Sequence, residues 1–305
     1  MTVTVVRGEL EESRHSVHVA VVDSDGRLVA WHGDPHRLTT MRSGAKPFQA
    51  QPLVASGAVE ALGLDSETLA VCCASHQGRA EHVAAVRRGL EACGLGPEAL
   101  RNSNGTPEQR LRHNCSGNHL AFLALSVHHG WDIPSYRDPA HPAQRAALEE
   151  VARASGVPAA EIATCTDGCG VVCFALPLAA IASMYARLPH LLPRQRAAMR
   201  RHPGMIAGPG DLDTELPPAL PGAVAKGGAE GLGCVSLGEQ GLGVAVRVED
   251  GDYRAVEPTL MTVLGQMLGW SQPPPPLASF QQPELRNSPG DVVGFLRAEV
   301  PLTRA

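Results

Sequence analysis

His15-Ser16-Val17-His18-Val19-Ala20-Val21-Val22-Asp23-Ser24-Asp25-Gly26-Arg27-Leu28-Val29-Ala30-Trp31-His32 decides the fold. Two strand-like runs, 15–22 and 28–32, flank Asp23-Ser24-Asp25-Gly26. Short polar side chains and a glycine favour a tight turn there, so the stretch reads as an antiparallel hairpin. Strand-like runs return near the other end, at 224–226, 234–237, 243–248 and 292–296, with Asp250-Gly251 as a turn. Between them the apolar spacing is helical over 79–93, 115–128, 143–155, 171–187 and 193–202, and again over 257–268. Gly94 and Gly156 stand where the first and third of these should stop. Strands at both ends with helices between predict an α+β fold, an antiparallel sheet built from the two termini with a helical region inserted. Residues 1–305 are expected to form one catalytic unit, with no sharp boundary between its sheet and helical parts.

Other stretches refine this outline. Residues 69–74 form a short apolar run, read as a buried strand that ends at Ser75. The apolar segment 170–186 is shorter than the roughly 20 residues a bilayer needs and contains Pro177, so it reads as a buried helix. Residues 272–283, with Pro273 to Pro276 inside, are expected to be irregular.

A net charge of −5 gives no electrostatic reason to bind nucleic acid or an anionic membrane. Aromatic residues make up 4% of the chain and no basic run is interleaved with them, so a small-molecule partner is expected. The N-terminal residues show no basic start followed by an apolar stretch, which predicts a cytoplasmic protein. In a reducing compartment the eight cysteines are not expected to form disulfides. Cys72, Cys73, Cys93, Cys165, Cys173 and Cys234 read as small buried hydrophobes. Cys115 and Cys169 stand apart, inside polar, turn-like motifs.

Chemistry concentrates in a few segments. Ser43 and Lys46 are three apart, and if Ser43 opens a helix the two side chains share a face. A neutral lysine can then take the serine proton, provided burial or a second cation such as Lys226 disfavours its charge. The Ser43 amide at the helix start is a candidate oxyanion donor. Ser75 is a second candidate hydroxyl, for proton relay or substrate contact, and Lys226-Gly227-Gly228 resembles a strand that presents a lysine while glycines admit substrate to the backbone. The thiols of Cys115 and Cys169 suit a soft metal, which needs at least a third protein ligand. His119, His113 and Asp167 are the candidates.

Taken in order, Arg42-Ser43-x-x-Lys46-Pro47-Phe48-Gln49, Ala74-Ser75-His76-x-Gly78, His113-Asn114-Cys115-Ser116-Gly117-x-His119, Asp167-Gly168-Cys169-Gly170 and Lys226-x-Gly228-Ala229-Glu230-Gly231 resemble the L-asparaginase II family. These are metal-assisted serine-lysine asparaginases, similar in fold to penicillin-binding proteins and serine β-lactamases. The resemblance implies two pairs, Ser43 with Lys46 and Ser75 with Lys226, with Ser43 as nucleophile. It implies hydrolysis of L-asparagine to L-aspartate and ammonia through a serine acyl-enzyme, in a homodimer. Arg42 and Asp167 are expected to hold the substrate's α-carboxylate and α-ammonium, and His76 and Gly117 to touch substrate as well.

The resemblance also implies Zn2+ on Cys115, Cys169 and a lysine, but that lysine's position is Asn118 here. Either zinc is held weakly, or His119 or water completes its shell, or it is not held. Two other functions fit the same residues: a β-lactamase or D-peptidase, and a catalytically silent homologue that binds an amino acid or a metal.

Overall fold

The computed structural model describes residues 2–305. The chain divides into two compact units, a sheet unit (residues 1–39, 177–187 and 215–305) and a helical unit (residues 40–176 and 188–214). The fold is α+β, with antiparallel strands from both chain ends.

In the sheet unit the strand order is Glu284–Arg286, Val292–Ala298, Thr2–Arg7, Leu10–Asp23, Leu242–Val248, Leu232–Leu237 and Ala223–Gly228. Leu28–His32 also pairs with Leu10–Asp23 and carries the short strand Thr303–Arg304, and every one of these pairings is antiparallel. The predicted hairpin sits at the heart of this sheet. Its turn is closed by Asp23, whose Oδ1 accepts from the Asp25 and Arg27 amides, while Gly26 takes φ +84°. Alternate valines of the long strand, Val17, Val19 and Val21, are buried and set its register. The N-terminal strand Thr2–Arg7, which composition did not signal, is the sheet's link to the C-terminal strands.

Helices lie close on the sheet where it has no side chains. A Cβ on Gly243 would stand 2.0 Å from the Ala182 carbonyl, and one on Gly233 2.4 Å from Val256. The helices concerned are Leu178–Leu191 and Val256–Leu268.

The helical unit is organised around Ser116–His129, buried from Ser116 through Ser126 and stopped by Gly130 at φ +68°. Burying Leu120, Phe122, Leu123 and Leu125 stabilises it by about 1.5–3 kcal/mol per side chain. Helices Ser66–Cys72 and Ala80–Ala92 pack against it. At Gly117 an added Cβ would fall 1.9 Å from the Val71 carbonyl, so the helices touch backbone to backbone.

The structure departs from the sequence expectations in three places. Residues 171–187 are not one helix. Val172–Pro177 is a strand paired with Ala163–Thr166, and the helix begins only at Leu178. The β-branched and aromatic side chains of Val171, Val172 and Phe174 favour a pleated surface, and Pro177 punctuates the change. Residues 66–72 are helical, so Ser75 follows a helix rather than a strand. The Pro-rich connection holds a short 3-10 turn, Pro275–Leu277, and one helical turn, Ala278–Gln281. Among the described residues no helix is long and apolar enough to cross a membrane.

Candidate active site

Ser43 lies in a 3-10 turn, Arg42–Ala45, that runs directly into the helical turn Lys46–Gln49. Pro47 and Pro52 keep these helical pieces short. Arg42 has φ +43°, a left-handed backbone that costs a non-glycine residue about 1–3 kcal/mol. This strain immediately precedes Ser43. Neither the hydroxyl nor the amide of Ser43 makes a hydrogen bond among the described residues, and the residue is only half-buried.

Lys46 is buried at 3% exposure, and its Nζ donates to the Ala74 carbonyl at 2.8 Å and to Ser75 Oγ at 2.9 Å. It stands 3.3 Å from Cys115 Sγ. Ser75 is held in place by its amide, which donates to Ile206 O at 2.8 Å, while the Gln77 amide donates to Ala207 O at 2.9 Å. The lysine predicted to serve Ser43 therefore bonds Ser75. Ser43 and Lys46 line one narrow pocket together with Arg42, Gln49, Cys115 and Asn118, and Asp167, Cys169 and Val171 complete its wall.

Cys115 caps the start of helix Ser116–His129, and Cys169 sits in the turn that Gly170 closes by donating to the Asp167 carbonyl at 2.8 Å. The Cys169 thiol donates to Cys115, and this bond is the main reason the Cys115 thiol is held well below its ordinary range. The Lys46 charge pulls the same way, against burial. The Cys169 thiol is pushed up by the same bond and by burial.

Arg42 and Asp167, expected to face substrate, pair with each other: Nε donates to Oδ2 at 3.0 Å and Nη2 to Oδ1 at 3.5 Å. Both remain partly exposed, at 23% and 16% for the side chains.

Two expected substrate contacts are engaged elsewhere. His76 is buried and accepts from the Gly78 amide at Nδ1, so Nε2 carries the proton and donates to Ser116 Oγ at 2.8 Å. Ser116 passes the chain on to the Leu111 carbonyl. Burial, with His82 stacked at 4.9 Å, lowers the His76 pKa to about 3, so the ring is neutral and both nitrogens are taken. Gly117 lets its helix meet the Val71 backbone.

Among the described residues no group of three or more His, Cys, Asp or Glu side chains is placed to hold a metal ion. His119 directs Nδ1 to the Tyr136 hydroxyl at 2.5 Å, and burial lowers its pKa to about 3. Asn118 donates from Nδ2 to Gln49 Oε1 at 3.1 Å and leaves a buried, unpartnered Oδ1. Two sulfurs and a neutral carboxamide fall short of a zinc shell. The residues do not fit the ion.

Lys226 lies in the sheet unit, buried on strand Ala223–Gly228, with Nζ donating to Gly227 O at 2.7 Å. A Cβ on Gly227 would meet the Tyr253 hydroxyl at 2.2 Å, so this glycine makes room for a tyrosine. Cys165, expected to be buried, is exposed on a strand and opposes Cys173 across the pair. Gln49 was given no role from sequence. Its signal is its place as the last residue of the motif that begins at Arg42, six residues after Ser43, and it ties Asn118 to the Val172 carbonyl.

No curated relative matches the chain. A solved β-lactamase from Mycobacterium bovis, Mb2281c, is similar over 83% of this chain and 94% of its own, at 16% identity and a TM-score of 0.44. The family model for L-asparaginase II matches residues 3–298. Nearly the whole length is covered, and this chain therefore belongs to the L-asparaginase II family.

Proposed function

We propose that the protein hydrolyses the side-chain amide of L-asparagine to L-aspartate and ammonia, with Ser43 as nucleophile and Lys46 as base. The observation that carries the reading is the buried Lys46 amine, bonded to Ser75 at 2.9 Å in a pocket it shares with the unbonded Ser43. A nucleophile must be free to approach a carbonyl, and in this pocket the Ser43 hydroxyl has no partner among the described residues.

In the attack the Ser43 oxygen bonds to the amide carbon and its proton passes to Lys46, with Ser75 as the relay. Lys46 must be uncharged to accept it. The Ser43 amide, unbonded at the helix start, stabilises the oxyanion. Collapse of the tetrahedral intermediate returns the proton to the departing nitrogen as ammonia. Water then cleaves the aspartyl ester, using the same amine as base. The Arg42–Asp167 pair matches a zwitterionic head group, guanidinium to α-carboxylate and carboxylate to α-ammonium.

Purified protein given asparagine, glutamine and nitrocefin separately tests the reading. Ammonia and aspartate should appear from asparagine. Nitrocefin cleavage alone would replace it with a β-lactamase, and asparagine binding without ammonia would make the chain a silent homologue. The homodimer implied by the family is checked by sedimentation.

A further inference from the structure

We infer that the substrate is not free asparagine alone but includes an asparagine unit that carries a second carboxylate, seated in an arginine-lined cleft beside the catalytic pocket. This rests on the function proposed above. The pocket around Ser43 and Lys46 has a free volume of about 10 Å³, room for one small group. Asp167 and Cys169 also line a neighbouring cleft of about 610 Å³. The first has room for about one water-sized group beside Ser43, so whatever extends from a bound amide enters the second.

The cleft is built for an anion. Arg101 and Arg137 face it with no ion pair or side-chain hydrogen bond among the described residues. Arg110, also on its wall, differs: it donates to the Leu100 and Gly105 carbonyls, each at 2.9 Å, and braces the loop that carries Arg101. Arg137 is set beside the Cys169 turn by Gly170, where a Cβ would fall 2.3 Å from its Nη1. Asn102, 2% exposed on the same wall, donates to the Arg110 carbonyl and leaves a buried, unpartnered Oδ1, an acceptor that suits a ligand N–H rather than the carboxylate. Of the carboxylates present, Asp167 is held by Arg42 and Glu98 is exposed. Two free guanidinium groups thus stand ready for a ligand carboxylate.

The second carboxylate can be attached at either end of the asparagine unit. In asparaginyl-glutamate it extends the α-carboxyl, which then meets Arg42 as a peptide carbonyl rather than a carboxylate, and ammonia is released. In β-aspartyl-glutamate it sits on the amide nitrogen, and glutamate is the leaving group. The cleft recognises the shared chemistry, and product analysis by mass spectrometry tells the two apart.

Specificity constants are to be measured for both dipeptides and for their lysine counterparts, on wild type, Arg101→Gln/Arg137→Gln and Arg101→Glu. Wild type should favour a glutamate dipeptide over its lysine twin by about tenfold or more, chiefly through KM. The double glutamine variant should lose that preference, and Arg101→Glu should reverse it, with thermal melts confirming that both variants are folded. Equal use of acidic and basic dipeptides by wild type, or a preference that survives in the double variant, overturns the inference. If no substrate is turned over, calorimetric binding of the same dipeptides decides. Tighter binding of the acidic dipeptide that the double variant abolishes sustains the cleft while the catalytic reading falls, and charge-blind binding removes the cleft.

Discussion

Replacing each active-site serine by alanine separates their roles. Ser75 Oγ receives one hydrogen bond from Lys46 at 2.9 Å, while Lys46 keeps the Ala74 carbonyl and the Cys115 sulfur. Losing a hydrogen bond to such a group is worth about 1.5–3 kcal/mol, so Ser75→Ala should lower kcat by about 10- to 150-fold. Ser43 has no bond to lose, and its removal takes away the covalent route itself. Ser43→Ala should therefore lower kcat on the order of 10⁴-fold or more while leaving stability nearly unchanged. The assay is ammonia release from asparagine, joined to rapid-quench mass spectrometry of the intact protein. In wild type the aspartyl ester should map to the peptide containing Ser43. Turnover of Ser43→Ala within about tenfold of wild type, or an ester found on Ser75, refutes the assignment.

Three further outcomes follow from the same geometry. His76 and His119 are buried with pKa values lowered to about 3, so below the ordinary histidine value the unfolded chain takes up protons that the native state refuses. Native stability should be fully present at pH 7 and fall by about 1.4 kcal/mol per pH unit for each ring between roughly pH 6.5 and 3; urea midpoints that do not move between pH 7 and 4.5 would contradict this. Gly117→Ala must push backbone apart at Val71 and should cost about 3 kcal/mol or more, lowering the melting temperature by several degrees; a melt equal to wild type would show the helix contact is slack. Asn118→Asp keeps the shape and adds an anionic oxygen beside Cys115 and Cys169, so it should bind zinc at least about tenfold tighter than wild type in competition with a chromogenic chelator; equal affinities would show that the missing anionic ligand is not what sets zinc binding.

Much of the molecule can be read directly from its residues. Alternation and turn chemistry announce the hairpin around Asp23 to Gly26, because a strand's side-chain period and an Asx turn are local properties. Helical spacing and glycine stops locate Ala80–Ala92, Ser116–His129 and Pro142–Ser155 for the same reason. Five ordered motifs identify the family. Local pattern fails where two structures suit one composition: Val172–Pro177 is apolar enough for helix or strand, and its pairing with Ala163–Thr166 settles the matter.

The partnerships within the site belong to the tertiary structure alone. Lys46 reaches Ser75 rather than Ser43 because the chain after Ser66–Cys72 is fastened to Ile206 and Ala207, contacts far away in sequence. Arg42 meets Asp167 across more than a hundred residues, and His76, near a candidate hydroxyl in sequence, turns away to hold Ser116. Sequence fixes which chemical groups are present and which way each short segment bends. Which groups meet is decided by packing, since a hydrogen bond or ion pair needs atoms within about 3 Å and only the assembled core brings distant segments that close.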